Sequence, residues 1–255
     1  MRSPVPWMGS KRRLAPEIIK RIPEHVCYVE PFAGSASILF AREPSKSEVL
    51  NDINGDLVNF FRVVKHHMLE FCNQFRFAVV SRKVFEWLQD TPPETLTDIH
   101  RAARFFYLQR MAFGGKVTGQ TFGVSASGPP HLNLVRLEES ISETHARLSA
   151  VVIESLPWEK CIPRYDRPGT FFFIDPPYYQ TAGYGTPAWQ LCDYEQMAEV
   201  LAGLKGKALL TINDHPDMRR VFKAFKFEEL SVRYTVGGEK TSGTPKTELL
   251  YRSWE

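Results

Sequence analysis

The spacing of apolar residues over the first 58 positions predicts alternating helices and strands. Residues 14–21 have the period of a helix, and HVCYVE at 25–30 has the length and composition of a short buried strand. GSASILFAR at 34–42 predicts a glycine turn followed by a helix, and SEVLNDIN at 47–54 predicts a strand that ends in a turn. This β-α-β order is typical of the opening of a doubly wound α/β sheet.

Between positions 57 and 112 the apolar period becomes that of helices, for example at Leu57, Phe60, Phe61 and Val64. The next segment, FGGKVTGQTFGVSASGPPHLN at 113–133, is rich in Gly, Ser and Pro and has almost no periodic apolar pattern. A stretch of this kind within a compact protein is either a functional loop or a disordered one. Residues 134–148 then predict another helix.

The α/β alternation resumes after position 150. Strands are predicted in AVVIES at 150–155, TFFFID at 170–175, KALLTIN at 207–213, FEELSVRYTV at 227–236 and TELLYRSW at 247–254, and helices at 193–204 and 216–225. The sequence therefore predicts the α/β class, with a mostly parallel sheet interrupted by a helical insert. We expect residues 1–58 and 151–255 to form one domain and residues 59–150 to form the insert.

The net charge of +3 is concentrated in that insert. Residues 59–150 contain 11 Lys and Arg against 8 Asp and Glu, whereas the two flanks together contain 21 of each. A basic segment can be a surface that contacts phosphates, but an excess this small is also typical of an ordinary solvated face.

The four cysteines lie far apart, at Cys27, Cys72, Cys161 and Cys192, without the close spacing of a zinc site. We interpret them as thiols in a reducing compartment. The chain has no run of about 18 apolar residues, and its start lacks the pattern of a secretory signal. We therefore expect a cytoplasmic location and no membrane partner.

A first candidate site follows the first predicted strand, in YVEPFAGSAS at 28–37. In doubly wound folds a ligand lies beyond the carboxyl ends of the strands, where a glycine lets the backbone approach it. The motif lacks the GxGxxG spacing, which favours a nucleoside ligand over a dinucleotide. Asp52 ends the second strand, where a carboxylate either accepts hydrogen bonds from ribose hydroxyls or caps the next helix.

A second candidate site is DPPY, Asp175 to Tyr178, directly after the apolar strand TFFFI. The exocyclic amine of a nucleobase is a weak nucleophile, so an enzyme has to hold its N–H hydrogens with acceptors. The Asp175 carboxylate and a carbonyl of Pro176 or Pro177 are such acceptors, and the Tyr178 ring is a surface on which a base can stack. The alternative is a strand that ends in a proline-rich turn with buried aromatics. No role is assigned to Tyr179.

Four motifs occur in the order PWMGSK at 6–11, VEPFAGSAS at 29–37, LNDIN at 50–54 and DPPY at 175–178. In this set the chain resembles, over nearly its whole length, the Dam-type alpha-class DNA adenine methyltransferases of phages and restriction-modification systems. The resemblance implies a Rossmann-like class I methyltransferase fold with a helical DNA-recognition insert. It also implies methyl transfer from S-adenosylmethionine to the N6 amine of an adenine flipped out of double-stranded DNA, without a metal or an obligate protein partner.

The resemblance also implies roles for individual residues. Cofactor contacts are expected from Trp7, Gly9, Lys11, Glu30, Phe32, Ala33, Gly34, Asp52, Trp158 and Asp175. Catalytic roles are expected from Asp175, Pro176, Pro177 and Tyr178. DNA contacts are expected from Arg110, Phe113, Lys116 and Thr121, although Arg110 is also placed to form a salt bridge at a helix end.

The chain departs from the family pattern before the DPPY strand. Family members often have an Asp-Phe pair there to hold the adenine of the cofactor, and this chain has Pro157 and Trp158. Trp158 can stack on adenine, and a carboxylate contact would then come from Glu154 or Glu159. Two alternatives remain open: a different methyl acceptor, either the N4 amine of cytosine or a protein glutamine amide, and a non-catalytic DNA-binding protein with the same fold. Carbon-5 methylation of cytosine is disfavoured because the chain has no Pro-Cys nucleophile motif.

Overall fold

The structure is a computed structural model that describes residues 1–123, 128, 130–181, 189–233 and 245–255. The strands are β1 (Cys27–Glu30), β2 (Ser47–Asn51), β3 (Val151–Glu154), β4 (Thr170–Ile174), β5 (Lys207–Asn213), β6 (Lys226–Arg233) and β7 (Pro245–Arg252). The helices are α1 (Ala15–Ile19), α2 (Ser37–Ala41), α3 (Gly55–His66), α4 (Met68–Asn73), α5 (Arg82–Asp90), α6 (Asp98–Met111), α7 (Leu137–Leu148), α8 (Trp158–Tyr165), α9 (Leu191–Ala202) and α10 (Pro216–Val221).

These elements belong to two compact units, and both units combine separate parts of the chain. The first unit contains residues 1–12, 34–43 and 52–155, and the second contains residues 13–33, 44–51 and 156–255. These units are defined by the compactness of the backbone and not by function. The division into a catalytic part and a recognition insert at positions 58 and 151 is functional, and it stays a prediction.

The strand order of the seven-stranded sheet that the described residues form is β3-β2-β1-β4-β5-β7-β6, and all of these strands except β3 belong to the second unit. The pairs β1–β2, β1–β4 and β4–β5 are parallel, while β7 pairs antiparallel with both β5 and β6. The predicted α/β class with a mostly parallel sheet is confirmed. The predicted strand at 207–213 matches β5 at both ends, and the part of the 227–236 prediction beyond Arg233 lies outside the described residues.

Strand β4 is the centre of this sheet, and all five of its residues are buried. It pairs with β1 on one edge and β5 on the other, and because its side chains are buried on both faces it needs apolar residues at successive positions, which explains the run FFFI. The ladder stops after Ile174 because the prolines at 176 and 177 have no backbone N–H to donate. The chain therefore leaves the sheet at Asp175.

The first unit is mainly helical and has an aromatic core around Phe60 of α3. The Phe60 ring stacks on Phe106 with the ring centroids 5.5 Å apart, and it also packs against Phe61, Phe71 and Phe105 at 5.5 to 5.9 Å. Helix α3 begins where the Asn54 side chain accepts hydrogen bonds from the N–H groups of Asp56 and Leu57. No helix in the part of the chain that the structure describes is both long and apolar enough to cross a membrane.

We expect Phe60→Ala to lower the free energy of unfolding by about 3–5 kcal/mol, because it leaves a cavity among four packed rings. The matched control is Phe77→Ala, since the Phe77 side chain is 87% exposed and its removal should cost at most about 0.5 kcal/mol. Urea unfolding of both variants measures the difference. Equal losses of stability would contradict the placement of Phe60 in the core.

Candidate active site

The turn after β4, Asp175 to Tyr178, is called the DPPY turn below. The β4–β5 register pairs Ile174 with Leu210, so the next residue of β5, Thr211, lies beside Asp175. The Thr211 hydroxyl is fully buried and donates a hydrogen bond to Asp175 Oδ1 at 2.7 Å. The parallel pairing of two strands therefore holds the carboxylate in one orientation.

The hydroxyl of Tyr178 is held from another strand. It donates to Oε2 of Glu248 on β7 at 2.8 Å, and Glu248 is only 1% exposed. Burial and the negative charges of Asp175 and Glu248 raise the pKa of Tyr178 well above its usual value. Tyr178 therefore stays protonated at neutral pH and keeps its hydrogen bond to Glu248.

The backbone of the DPPY turn is held by two further side chains. The Tyr194 hydroxyl of α9 donates to the carbonyl oxygen of Pro177 at 2.7 Å. The Asn213 amide accepts from the Tyr179 N–H at 3.0 Å and donates to the Tyr179 carbonyl at 3.1 Å. Tyr179, which had no role in the sequence analysis, thus ties the end of the turn to β5, and its ring packs edge-on against His215.

A group of aromatic rings in the same unit contains the predicted residues Phe32 and Trp158. The ring centroids of Phe32 and Trp158 are 6.4 Å apart, and Trp189 lies 5.5 Å from Phe32 and 5.9 Å from Trp158. Trp158 is the first residue of α8, and Glu159 follows it there, whereas Glu154 ends β3 in the first unit. Flat, largely buried rings of this kind suit the face of a purine.

The end of β1 is organised by Asn51, a residue that the sequence analysis did not single out. The buried Asn51 amide donates to the carbonyls of Pro31 and Leu156 and accepts from the Leu156 N–H at 2.8 Å. The Asn51 carbonyl also accepts from the N–H of Ala33 at 2.9 Å. The segment that carries Phe32 and Ala33 is therefore fixed to the chain that leads into Trp158.

Glu30, the last residue of β1, is 1% exposed. The Tyr28 hydroxyl donates to Glu30 Oε1 at 2.7 Å. A buried carboxylate is stable only with hydrogen-bond donors around it, and Tyr28 provides one from the same strand.

In the first unit, Asp52 holds the turn at Gly34. Asp52 Oδ2 accepts from the Gly34 N–H at 2.8 Å, and Oδ1 accepts from the Asn54 N–H at 2.9 Å. Burial raises the pKa of the Asp52 carboxyl. The residue that caps α3 is Asn54, so the alternative that Asp52 itself caps this helix is wrong.

Gly34 and Trp7 are in direct contact. Gly34 has φ of +47°, and a Cβ on it would lie 3.0 Å from Nε1 of the Trp7 indole. Nearby in the N-terminal segment, Lys11 is 3% exposed and its ammonium donates to the Gly9 carbonyl at 2.9 Å. The structure thus brings together the predicted residues Trp7 and Gly34, and a larger residue at position 34 would displace the indole.

The four residues predicted to contact DNA differ in exposure. Phe113, Lys116 and Thr121 are exposed, and they lie on a loop closed by the antiparallel bridge between Ala112 and Phe122. Arg110 is half-buried, and burial lowers its pKa. The Arg110 guanidinium donates to the carbonyl oxygens of Pro4 and His131, so it braces two segments of backbone instead of forming the predicted alternative of a salt bridge.

Cys27, Cys72, Cys161 and Cys192 are free thiols. Among the described residues, no group of three or more His, Cys, Asp or Glu side chains is arranged to hold a metal ion.

The family of the chain follows from comparison with known proteins. The model of the D12 class N6 adenine-specific DNA methyltransferases matches residues 7–236. The Type II methyltransferase M1.LlaDCHI of Lactococcus lactis subsp. cremoris is 26% identical over 97% of this chain and 94% of its own length. The DNA N-6-adenine-methyltransferase of Escherichia phage P1 is 25% identical over 92% of this chain and 33% of its own length.

Two further similarities are a sequence match over most of both chains and a distant structural match. The retron Ec67 DNA adenine methylase of Escherichia coli is 25% identical over 93% of this chain and 87% of its own length. A solved SAM-dependent methyltransferase from Agrobacterium tumefaciens has a TM-score of 0.41 at 13% identity, covering 96% of this chain and 60% of that one, which is too distant to add to the argument. The match of the family model to residues 7–236, which confirms the resemblance found in the motifs, shows that the chain belongs to the D12 class of N6 adenine-specific DNA methyltransferases.

Proposed function

We propose that this family member transfers the methyl group of S-adenosylmethionine to the N6 amine of an adenine that is flipped out of double-stranded DNA, and that the DPPY turn holds that amine. The observation that carries the proposal is the fixation of the turn. Its carboxylate, one proline carbonyl, its tyrosine hydroxyl and the following backbone are each bonded to a named side chain. Acceptors held in this way do not have to reorganise when a substrate binds.

The structure also supports a choice of which proline carbonyl accepts a hydrogen bond from the adenine amine. The Pro177 carbonyl already accepts the hydroxyl of Tyr194. We therefore assign the second acceptor for the adenine amine to the Pro176 carbonyl and the first to the Asp175 carboxylate. Together they would accept hydrogen bonds from the two N–H groups and draw the nitrogen lone pair out of conjugation with the ring, so that it can form the new N–C bond. The methylated nitrogen then loses one proton, for which the Asp175 carboxylate is the neighbouring acceptor in this arrangement.

Tyr178 would offer a ring face to the flipped base. Its hydroxyl is anchored to Glu248, which restricts the ring to rotations about that anchor. A ring held at both ends has little conformational freedom left to lose when a base stacks on it.

The cofactor assignment rests on the chemistry of the residues at the ends of β1 and β2. The Asp52 carboxylate accepts hydrogen bonds from the backbone at Gly34, Asn54 and Ile53, and a carboxylate has about four lone-pair sites, so capacity remains for a ribose hydroxyl. Phe32 and Trp158 would hold the adenine ring, and Glu30, Ala33 and Gly34 the methionine part. The proposed cofactor-binding residues also include Trp7, Gly9 and Lys11. When bound, S-adenosylmethionine supplies a methyl group that its sulfonium activates for transfer.

On the DNA side we propose that Lys116 contacts phosphates and that Phe113 and Thr121 lie against the duplex, because all three are exposed on one loop. Arg110 would act by bracing the backbone at Pro4 and His131 instead of reading a base. Residues 59–150 would then be the recognition part. An enzyme of this kind would act on DNA in the cytoplasm, without an obligate protein partner.

Asp175→Ala should lower the rate of methyl transfer at least about 100-fold, because the amine loses its carboxylate acceptor. DNA binding should stay within about threefold, since it depends mainly on phosphate contacts elsewhere. Methylation-sensitive sequencing of DNA from cells that express each variant, with gel-shift binding of purified protein, measures both. Glu195→Ala, an exposed acid of the same unit, is the control. Full activity of Asp175→Ala would exclude the proposed mechanism.

Asp52→Ala should weaken the binding of S-adenosylmethionine at least about tenfold, because it removes the ribose acceptor and releases the Gly34 N–H. Isothermal calorimetry with the free protein gives the affinity. Asp90→Ala, which changes an exposed acid of the same unit, should leave it unchanged. If Asp52→Ala binds the cofactor as well as the wild type does, the carboxylate only stabilises the turn.

Tyr178→Phe should keep the stacking surface but leave Glu248 without this donor, so we expect a loss of stability of about 1–3 kcal/mol and a fall in kcat of about tenfold. Tyr178→Ala also removes the ring, and its kcat should fall at least tenfold further. Thermal unfolding and steady-state kinetics separate the two effects. Equal kcat for the Phe and Ala variants would show that the ring does not stack on the base.

A further inference from the structure

Gln109 is a buried polar residue near the end of α6, and all of its side-chain groups are used. Its exposed fraction is 0%. The amide nitrogen Nε2 donates to the carbonyls of Pro6 and Gly115, both at 2.8 Å, and Oε1 accepts from Nε2 of Gln120 at 3.0 Å. An amide that is buried with every group bonded is held in a single orientation.

The partners of Gln109 belong to two different segments. Pro6 lies in the N-terminal segment that carries Trp7, while Gly115 and Gln120 lie on the loop that carries Phe113, Lys116 and Thr121. We call residues 111–123 the recognition loop. Gln109 thus joins the proposed cofactor side of the first unit to its proposed DNA side.

The two segments also touch through their backbones. The Met8 N–H donates to the Gly115 carbonyl at 3.0 Å. Gly115 has φ of +66°, and a Cβ on it would lie 3.0 Å from the Trp7 backbone nitrogen. The same Trp7 has its indole against Gly34. The recognition loop therefore contacts Trp7, and Trp7 contacts Gly34. Gln109 supports the contact between the loop and the Trp7 segment, because it donates to the carbonyls of both Pro6 and Gly115.

The recognition loop itself is a narrow structure with few internal bonds. The Phe113 N–H donates to the Thr121 carbonyl at 2.8 Å, and the Gly123 N–H donates to the Met111 carbonyl at 2.7 Å. Next to this closed end, the Gln120 side chain donates to the Lys116 carbonyl at 2.8 Å as well as to Gln109. The bond between the two glutamines is thus a side-chain link between the returning arm of the loop and the core of the unit.

We infer that Gln109 is a positioning residue for target recognition: it fixes the recognition loop against the N-terminal segment and so sets which DNA sequence the enzyme methylates efficiently. The inference rests on the proposed function of that loop. Discrimination between bases requires side chains to be held at a defined distance from base edges, so a loop that can shift recognises the target less selectively. Gln109 itself does not touch DNA in this account.

Gln109→Met is the direct test, because methionine has a similar length and no amide. We expect the ratio of kcat/KM on the target sequence to kcat/KM on a site with one base changed to fall about tenfold. The target is the sequence that methylation sequencing of the wild type defines. A merely structural defect would lower the active fraction on both sites equally, so it would cancel in this ratio. The affinity of the free protein for S-adenosylmethionine should change less than about threefold.

Gln120→Leu is the second variant, and it covers the case in which Gln109→Met does not fold. It removes the bond to Gln109 and the bond to the Lys116 carbonyl but leaves Gln109 bonded to Pro6 and Gly115, so we expect a smaller loss of discrimination in the same direction. In the double variant the two effects should add only in part, because both substitutions remove the Gln109–Gln120 bond while each also removes bonds of its own. Gln74→Leu is the control, since the Gln74 side chain is exposed and donates to the Glu70 carbonyl of the preceding helix α4.

Unchanged discrimination in a folded Gln109→Met or Gln120→Leu variant would overturn the inference and leave the proposed function intact. A wild-type protein that does not methylate adenine at all would overturn both. The two failures are therefore distinguished by the activity of the wild type.

Discussion

The hydrogen bond from Thr211 to Asp175 connects the sheet to the chemistry of the second unit. It exists because β4 and β5 are parallel neighbours in a register that places these two residues side by side. Once the prolines end the ladder, backbone pairing no longer holds the chain, and side chains from β5, β7 and α9 replace it. The DPPY turn is thus an irregular segment with a fixed shape, which a set of acceptors for an amine requires.

In the first unit, too, side-chain hydrogen bonds hold irregular backbone, here at two glycine turns. Gly34 is held by the Asp52 carboxylate and packed on the Trp7 indole, and Gly115 is packed on the Trp7 backbone and bonded to Gln109. In both places a glycine allows a close approach that a side chain would block, and a buried polar group then fixes the turn.

Much of the fold could be predicted from local pattern, whereas the contacts around the candidate site could not. The TFFFI run, the Asp-Pro-Pro break and the KALLTIN strand are local features, and the structure has them at the predicted positions. The partners of the DPPY turn, Thr211 and Glu248, lie 36 and 70 residues away in the sequence, and only the strand order brings them near. Arg110 shows the same limit, because a basic residue at a helix end gives no sign that two backbone carbonyls will take its hydrogen bonds.

The central claim is that the two acceptors of the DPPY turn act on the N6 amine of adenine, and the identity of the methylated nucleoside tests it most directly. Purified protein would be incubated with double-stranded DNA and S-adenosylmethionine that carries an isotope-labelled methyl group, and the DNA would be digested for mass spectrometry. The account predicts that the label appears in N6-methyldeoxyadenosine and is lost in Asp175→Ala. Label in N4-methyldeoxycytidine, or no label in any nucleoside, would contradict it.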